Sequence, residues 1–363
     1  MVDDAASTHP GPRHTVSIVI PVYRGATTLD ALLAEIAPLA EGFTTAAGHH
    51  ATVTEALLVY DNGDDKSPEV MRRLESRYSF VRNIWLSRNF GQHATTIAGM
   101  ASTGGEWIAT LDEDGQHDPR ALADMLDVAM ARRADVVYAK PTNRPPHGVL
   151  RNTSSRAAKR TLKLFAGGLQ ASDFQSYRLI LGELGRSVAA YAGPGVYLDV
   201  AVGWVAGRVA TCPAYFRREG GRPSGYSYRT LASHFWRMVV SSGTRALRIV
   251  SLLGMVFAGV GLCLTAYLLV AALVFDVALP QGWPSLMVTL LLCSGAILFA
   301  LGVIAEYVGT AVNMAMGKPL YLIVSDPQDG PLGRQPSVVR ADPVAATIPS
   351  SGRWTDPQGA RNS

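Results

Sequence analysis

The sequence predicts an α/β protein with a mostly parallel sheet, followed by a membrane anchor made of two helices. Between residues 16 and 140, short apolar runs alternate with longer amphipathic stretches, whereas residues 249–316 are almost uncharged. The composition agrees with this division, because 48% hydrophobic residues in a chain of 363 is close to the globular norm. We therefore expect a soluble part that precedes a membrane part.

The first part of the chain alternates between two kinds of segment. The short apolar runs are predicted to be strands: Val16–Pro21, Thr52–Tyr60, Phe80–Leu86, Trp107–Leu111 and Asp135–Ala139. The amphipathic stretches between them are predicted to be helices: Thr27–Glu41, Ser67–Tyr78, Gln92–Ala101 and Pro119–Ala131. Such alternation is typical of a Rossmann-like sheet covered on both faces, with ligands bound beyond the carboxyl ends of its strands.

Two apolar segments, residues 249–275 and 286–315, are longer than the roughly 20 residues that cross a bilayer. The connection between them contains Pro280, Gly282 and Pro284, which are expected to break helices. A buried hairpin in a soluble core is the alternative to two membrane spans. That alternative is less favoured because such runs commonly stop at about 10 to 14 residues.

Charge around the apolar segments predicts the orientation of the chain in the membrane. Arg245 and Arg248 precede the first segment and Lys318 follows the second, while residues 276–285 contain neither Lys nor Arg. The positive-inside rule places both termini in the cytoplasm of a cell-membrane protein. Residues 229–248 are predicted to form an amphipathic helix that lies on the membrane or packs against the soluble domain.

These boundaries define the expected domain organisation. A polar tail over residues 1–14, without the apolar core of a signal peptide, precedes a cytosolic domain over residues 15–228. Residues 317–326 leave the membrane, and residues 327–363 are expected to be disordered. The net charge of +4 without a long basic stripe argues against nucleic acid as a partner. Three cysteines suggest neither a disulfide framework nor a zinc cluster.

The acidic stretch from Asp112 to Asp118 directly follows the strand predicted to end at Leu111. Its four carboxylates would repel one another unless a cation neutralised them, and oxygen ligands favour Mg²⁺ or Mn²⁺, which would also bind a diphosphate. The alternative is a solvated acidic turn in which Asp118 caps the next helix. His117 either contacts the metal region or, as is commoner for a lone histidine, faces solvent.

A second polar turn, Asp61-Asn62-Gly63-Asp64-Asp65, follows another predicted strand on the same sheet edge. An Asp at this place could accept hydrogen bonds from a nucleotide base or ribose. The alternative is a tight turn with no ligand, which Asn-Gly and Asp-Asn sequences favour.

With a two-span anchor beside them, these turns make the chain resemble the polyprenyl-phosphate glycosyltransferases of glycosyltransferase family 2, such as the dolichol-phosphate mannose synthases. The resemblance extends from about Val16 to Val324. It is carried by separate motifs: Ser17–Tyr23, Asp61–Asp64, Arg88–Gly91, Asp112-x-Asp114-x-Gln116, Ser176–Leu179, Arg222 with Gly225–Ser227, Glu306-Tyr307-x-Gly309 and Lys318-Pro319-x-Tyr321. The chain departs from the family pattern at Arg24-Gly25, where Asn-Glu is usual, and at Asn62, where Asp is usual.

The resemblance implies a GT-A fold and a set of site residues. Asp112 and Asp114, assisted by Gln116, would hold Mg²⁺ or Mn²⁺. A nucleotide sugar of the UDP or GDP type would contact Pro21, Tyr23, Asp61, Asn62, Arg88, Asp112 and Asp114. The phosphate of the lipid acceptor would contact Arg144, Arg151, Arg178, Arg222 and Ser227, because guanidinium groups suit phosphate oxygens. Catalytic roles would fall to Asp114, Arg178 and Asp173, the last as a base.

The predicted activity is the transfer of a sugar to a polyprenyl phosphate at the cytoplasmic membrane face, with inversion, in the making of cell-envelope glycans. A lipid monophosphate has a second pKa of about 6, so at neutral pH it is largely dianionic and needs little base catalysis. One alternative is an inert membrane scaffold of the same fold, suggested by Arg24 and Asn62. Another is a processive polysaccharide synthase, although that class resembles Gln-x-x-Arg-Trp chains with more spans. Glu306, inside the second apolar segment, predicts a structural role or a contact in a homo-oligomer.

Overall fold

The computed structural model describes residues 13–143, 174–193, 196–217 and 282–333, with four isolated positions between 254 and 263. Several predictions lie outside the described residues: the acceptor residues Arg144, Arg151, Arg222 and Ser227, the base Asp173, the amphipathic helix over 229–248 and nearly all of the span over 249–275. The chain divides into two units, residues 1–324 and 325–363.

The described part of the first unit contains nine strands and seven helices. The strands are β1 (His14–Val22), β2 (Phe43–Thr44), β3 (His50–Tyr60), β4 (Val81–Leu86), β5 (Trp107–Thr110), β6 (Val136–Pro141), β7 (Arg178–Leu181), β8 (Val209–Ala214) and β9 (Ile323–Val324). The helices are α1 (Leu29–Glu41), α2 (Ser67–Arg77), α3 (Gln92–Ala101), α4 (Ala121–Arg132), α5 (Gly182–Tyr191), α6 (Leu198–Val205) and α7 (Trp283–Ala315).

The strands form one sheet in the order β8-β6-β7-β5-β1-β3-β4-β9, with β2 paired to β3. Strands β1, β3, β4 and β5 run parallel to one another, and β6 and β8 are also parallel. Strand β7 is antiparallel to β5 and β6, and β9 is antiparallel to β4. The predicted α/β class with a mostly parallel sheet is confirmed.

Helices cover both faces of this sheet. Successive side chains of a strand point to opposite faces, and in the central strands both sets are buried. In β1, Ile18 and Ile20 belong to one buried cluster with side chains of α1, α2 and α4. Val19 belongs to a second cluster with side chains of α3, α5 and α6. Both faces of the central strands are therefore buried, which explains their continuous apolar sequences.

The five predicted strands and four predicted helices of the first 140 residues all occur, with ends shifted by one or two residues in most cases. Strand β1 begins at His14, inside the predicted tail. The four-residue strand β7 was not predicted, and it begins at Arg178 inside the Ser176–Leu179 motif. Strand β9 also extends the sheet into the segment assigned to membrane exit.

One described helix, α7, contains a stretch long and apolar enough to cross a membrane, Cys293–Ala315. Most of its described side chains are exposed, and Leu286 and Leu298 are each 68% exposed. The expectation that Pro284 breaks a helix in the connection is wrong, because Pro284 lies in the first turn of α7. In a first turn the missing N–H of proline costs no helical hydrogen bond.

The second unit is described only at its start. Residues 326–330 form a turn in which Gln328 N–H donates to the Asp326 carboxylate (2.9 Å), and Pro331–Gly333 is a short 3₁₀ helix. The rest of the tail predicted to be disordered lies beyond the described residues.

Gly63 lies where two loops approach closely at the carboxyl ends of β1 and β3. A Cβ atom built on Gly63 would overlap the backbone carbonyl of Tyr23, and the Tyr60 hydroxyl donates to the Gly63 carbonyl (2.6 Å). Because the obstacle is backbone, a side chain can be admitted only if one loop moves.

We expect Gly63→Ala to destabilise the soluble domain by about 2 kcal/mol or more, which lowers the melting temperature by about 4 °C or more. Gly104→Ala is the matched control, since the nearest atom to its new Cβ would be a Glu55 oxygen at 3.8 Å. Thermal unfolding of the purified proteins checks both variants. Equal melting temperatures for Gly63→Ala and the wild type would contradict the close approach.

Candidate active site

The polar loops gather at one edge of the sheet, beyond the carboxyl ends of its parallel strands. From β1 the chain proceeds to β3 and β4 on one side, whereas β5 pairs with β1 on the other side. The order of the strands therefore reverses between β1 and β5, and such switch points open a crevice for ligands. The loops that follow β1 and β5 begin at Tyr23 and Leu111, so they flank this crevice.

Glu113 joins the two loops that flank the crevice. Its carboxylate accepts hydrogen bonds from the backbone N–H groups of Tyr23 and Arg24, both at 2.9 Å. A Cβ on Gly25 would lie 2.8 Å from the same carboxylate, so a glycine leaves room for this contact. Glu113 is thus engaged in loop structure.

Asp118 is also engaged in structure. It accepts a hydrogen bond from the N–H of Arg120 (3.0 Å) just before α4, and it lies 3.2 Å from the guanidinium of Arg217. The expectation of four crowded carboxylates is therefore wrong, because two of the four are held by backbone amides and by an arginine. The alternative interpretation, in which Asp118 stabilises the start of the next helix, fits its contacts.

Asp112 and Asp114 remain as the candidate metal ligands. Asp112 accepts hydrogen bonds from the Gln92 amide (2.7 Å) and from the Ser176 hydroxyl (2.5 Å), and Asp114 accepts from the N–H of Gln116 (3.0 Å). Among the described residues, no group of three or more His, Cys, Asp or Glu side chains is gathered to hold a metal ion. Two carboxylates and an amide oxygen fit Mg²⁺ or Mn²⁺, which commonly take one or two carboxylates and complete their shell with phosphates and water.

His117 is buried between the aromatic rings of Tyr177 and Phe216, with ring centroids at 5.0 and 4.9 Å. Its Nδ1 accepts a hydrogen bond from the N–H of Asp112 (3.1 Å), so the neutral ring carries its proton on Nε2. Burial lowers the pKa of His117, which favours this neutral form. The expectation that His117 faces solvent is wrong, and its side chain instead holds the start of the acidic loop.

The Asp61 turn organises the loop after β4. The buried Asp61 carboxylate accepts hydrogen bonds from the N–H groups of Phe90 (2.7 Å) and Gly91 (2.9 Å), and burial raises the pKa of this carboxyl. Asn62 has a left-handed backbone, with φ of 53°, and its amide donates to the Leu86 carbonyl (2.5 Å). Contact of these two residues with a nucleotide stays a prediction.

Arg24 and Asp64 form a two-point ion pair between the loops that follow β1 and β3. Two guanidinium nitrogens of Arg24 lie 2.6 and 2.7 Å from the two oxygens of Asp64, and both side chains are more than half exposed. The hydrogen bond from Arg24 lowers the pKa of Asp64. Tyr23 is 41% exposed beside this pair, and Pro21 lies within β1.

Arg178 is buried in β7, next to Thr110 of β5 and Tyr138 of β6. Its Nη1 lies 2.8 Å from Oδ1 of Asp199, which also accepts a hydrogen bond from the Tyr138 hydroxyl (3.0 Å). Neither Nε nor Nη1 of Arg178 has an acceptor in hydrogen-bonding geometry within the described part of the chain. Burial raises the pKa of Asp199, and the nearby guanidinium opposes that rise.

The chain segments that lead to the predicted acceptor residues lie side by side. The Asn143 side chain donates to the Phe216 carbonyl (2.6 Å) and accepts from the Phe216 N–H (3.3 Å). The N–H of Arg217 donates to the Gln116 carbonyl (2.9 Å). Arg217 therefore adjoins the acidic loop, and Asn143 is bonded to Phe216, which forms a bridge with His117 of that loop.

Asp199 and Arg217 were not predicted as site residues. Asp199 lies alone in the apolar segment Tyr197–Val205, and an acidic side chain within an apolar run is a usable signal for a buried, paired carboxylate. Arg217 carries no comparable local signal, because its partners Glu35 and Asp118 are far away in the sequence.

Residues 17–183 match the sequence profile of glycosyl transferase family 2. The chain is 28% identical over 339 residues to undecaprenyl-phosphate 4-deoxy-4-formamido-L-arabinose transferase of Salmonella choleraesuis strain SC-B67, covering 86% of this chain and 93% of that protein. The same enzyme of Salmonella typhimurium strain LT2 matches with the same identity and coverage.

Two solved structures can be superposed on part of this chain. Glucosyl-3-phosphoglycerate synthase from Mycobacterium tuberculosis, in complex with Mn²⁺, uridine diphosphate and phosphoglyceric acid, gives a TM-score of 0.45 at 16% identity, over 63% of this chain and 77% of that one. TarS 1–349 of S. aureus in complex with UDP-GlcNAc gives a TM-score of 0.43 at 14% identity, over 63% and 66% of the two chains.

We expect Asp114→Ala to remove Mn²⁺ binding in the presence of a nucleoside diphosphate, because a ligating carboxylate is lost. The melting temperature should stay within about 2 °C of wild type, since the side chain of Asp114 is only half-buried and lies in a loop. Calorimetric titration with Mn²⁺ measures the first quantity. Asp30→Ala, which removes an exposed carboxylate paired with Arg73, is the control and should bind Mn²⁺ normally. Unchanged Mn²⁺ affinity in Asp114→Ala would contradict the assignment.

Proposed function

Because residues 17–183 form a glycosyl transferase family 2 domain, we propose that this protein transfers a sugar from a nucleotide-sugar donor to a polyprenyl phosphate at the cytoplasmic membrane face. The Salmonella relatives, matched over 86% of this chain, are named for a transfer involving undecaprenyl phosphate. The products would be a polyprenyl-phosphate sugar and a nucleoside diphosphate.

One observation carries this proposal: the acidic loop is bonded both to the donor side of the crevice and to the segment that leads towards the acceptor residues. Glu113 binds the loop after β1, and Gln116 accepts from the N–H of Arg217. A loop held in this way supports binding of a diphosphate and a lipid phosphate at neighbouring places. Such positioning lowers the barrier because the two reactants are already aligned.

The donor would lie across the loops that follow β1, β3 and β4, which contain Tyr23, Asp61, Asn62 and Arg88. Arg88 places its guanidinium 4.2 Å from the ring centre of Phe90, so this arginine is held beside the loop that Asp61 organises. Asp112, Asp114 and Gln116 would hold Mg²⁺ or Mn²⁺. When bound, the ion would supply positive charge that stabilises the departing diphosphate.

The acceptor phosphate needs orientation more than activation, since at neutral pH it is already largely dianionic. Arg178 is proposed as one orienting group because its buried Nε lacks an acceptor among the described residues while Nη1 is paired with Asp199, and buried donors without partners are unfavourable. Arg144, Arg151, Arg222 and Ser227 are proposed to complete the phosphate site, with Asp173 as a base. Displacement would occur in one step with inversion at the sugar.

Membrane attachment is proposed to involve two spans with both termini in the cytoplasm. The 33 residues of α7 extend over about 50 Å at 1.5 Å per residue, which exceeds the hydrocarbon core of about 30 Å. The helix is therefore long enough to cross the bilayer and to project beyond it. Glu306 is exposed on α7 and is proposed to contact another subunit.

A panel of donors tests the proposed activity. Purified protein incubated with undecaprenyl phosphate, Mn²⁺ and single UDP- or GDP-sugars is expected to give one lipid-linked sugar, detected by mass spectrometry. Removal of the metal with EDTA should abolish the product. No lipid-linked sugar from any donor would favour an inert scaffold, and a ladder of lengthening glycans would favour a processive synthase.

Variants at Arg178 test whether this buried side chain serves stability, the reaction or both. Arg178→Met alone should cost about 3 to 5 kcal/mol of stability, because Asp199 is left as an unpaired buried charge. The triple variant Arg178→Met, Asp199→Leu, Tyr138→Phe removes the whole polar group, so we expect its melting temperature to recover towards wild type. Transfer should remain at least about 100-fold below wild type if the guanidinium orients the acceptor.

The measurements are thermal unfolding and the rate of lipid-linked product formation. Tyr138→Phe alone is the control, since it retains the Arg178–Asp199 ion pair. Wild-type transfer by a well-folded triple variant would contradict a role for Arg178 in the reaction.

A further inference from the structure

The chain that leaves α7 returns to the catalytic sheet and completes one of its edges. We call residues 318–324 the strap. Gly317, with φ of 64°, ends the helix, and its N–H donates to the Met314 carbonyl while the N–H of Lys318 donates to the Asn313 carbonyl. This left-handed cap reverses the chain within one turn of the helix end. The strap therefore starts directly at the base of the membrane helix.

The strap is attached to the soluble domain by side chains and by backbone. Leu320 and Tyr321 pack against the buried cluster that contains side chains of α3, α5 and α6. Residues 323 and 324 then pair with Leu86 and Trp85 of β4. The side chain of Leu322 is 53% exposed, so packing depends on the two residues before it.

Strand β4, which pairs with the strap, leads directly into the loop over residues 87–91, which we call the donor loop. The N–H of Ser87, its first residue, donates to the Leu322 carbonyl at 3.0 Å. On the other side, Asn62 donates to the Leu86 carbonyl and Asp61 accepts from Phe90 and Gly91. The donor loop is therefore held from two sides, by the Asp61 turn and by the strap.

A second contact links the same helix end to the same region. A Cβ on Gly193 would lie 3.1 Å from the Cε atom of Met314, so the last turn of α7 lies against the residues that follow α5. Farther along, the ring of Tyr197 lies 3.9 Å from the ring of His93, which belongs to the first turn of α3 after the donor loop. The last turn of α7 thus contacts Gly193, and Tyr197, four residues farther along the chain, contacts the first turn of α3 after the donor loop.

Without the strap, β4 would be an edge strand with unpaired backbone groups, and the start of the donor loop would lose its neighbour. Loops with few buried contacts open at low free energy, so the donor loop would sample more conformations. A ligand that needs one of those conformations then binds more weakly, in proportion to the fraction of molecules that adopt it.

We infer that the strap is a positioning element that connects the membrane helix to the nucleotide pocket by ordering the donor loop. Its residues act through Ser87 and β4 rather than by touching the nucleotide. The consequence for nucleotide affinity rests on the proposed function, whereas the consequence for order in the donor loop does not.

The test compares two variants of the full chain in detergent micelles. Leu320→Ser, Tyr321→Ser removes the packed side chains, and Leu322→Ser, the matched control, removes an exposed one from the same segment. The first measurement is the rate of trypsin cleavage after Arg88 in the donor loop. The second is the Kd of UDP and of GDP with Mn²⁺, measured by calorimetry.

We expect the double variant to be cleaved after Arg88 at least about five times faster than wild type and to bind the preferred nucleoside diphosphate about tenfold more weakly. The control should match wild type in both measurements. Carbonate extraction should leave the double variant in the membrane, because α7 is unchanged. If the double variant does not fold, Leu320→Ala alone should change both quantities in the same direction by a smaller amount.

Equal cleavage rates in the double variant and the wild type would overturn the inference. Faster cleavage with an unchanged Kd would overturn the link to the nucleotide pocket. If the wild type binds neither UDP nor GDP, the proposed function fails, and cleavage after Arg88 still decides whether the strap orders the donor loop.

Discussion

The bond between Glu113 and the backbone of residues 23 and 24 is the constraint on which the site depends. Loops beyond the strands of a parallel sheet leave backbone amides unpaired, and Glu113 satisfies two of these across the point where the strand order reverses. The acidic loop and the loop after β1 therefore form one body. Because Asp112 and Asp114 flank Glu113 in the chain, the bonds of Glu113 also fix their positions. A site for a divalent ion and a diphosphate requires such fixed positions.

The two departures from the family pattern have structural partners in this chain. Arg24 is paired with Asp64 through both carboxylate oxygens, and Asn62 adopts a left-handed conformation while it bonds to the Leu86 carbonyl. Both side chains of the Arg24 pair are exposed, and exposed ion pairs contribute little to stability, so the fold does not depend on this pair. Both residues are thus accommodated by contacts among the loops after β1 and β3 and the end of β4.

The central sheet was predictable because continuous apolar runs and amphipathic helices alternate with regular spacing, as buried parallel strands require. Strand β7 was missed because Arg178 begins a strand of only four residues, and β9 because two residues carry no periodicity. The assignment of Asp112 and Asp114 as metal ligands came from the resemblance of Asp112-x-Asp114-x-Gln116 to a family motif, and it stays a prediction. The partners of Glu113, His117 and Arg178 were not predicted, since each depends on residues brought together by folding rather than by proximity along the chain.

Strand β9 belongs to a sheet whose other strands are all made much earlier in synthesis. The ribosome must complete α7 before residues 323 and 324 exist, so β4 remains an open edge while the nascent chain emerges. Open edges invite pairing with other chains, and nascent domains are exposed to that hazard. Closure of this edge of the sheet is thus among the last folding events, because it has to wait until α7 has been made.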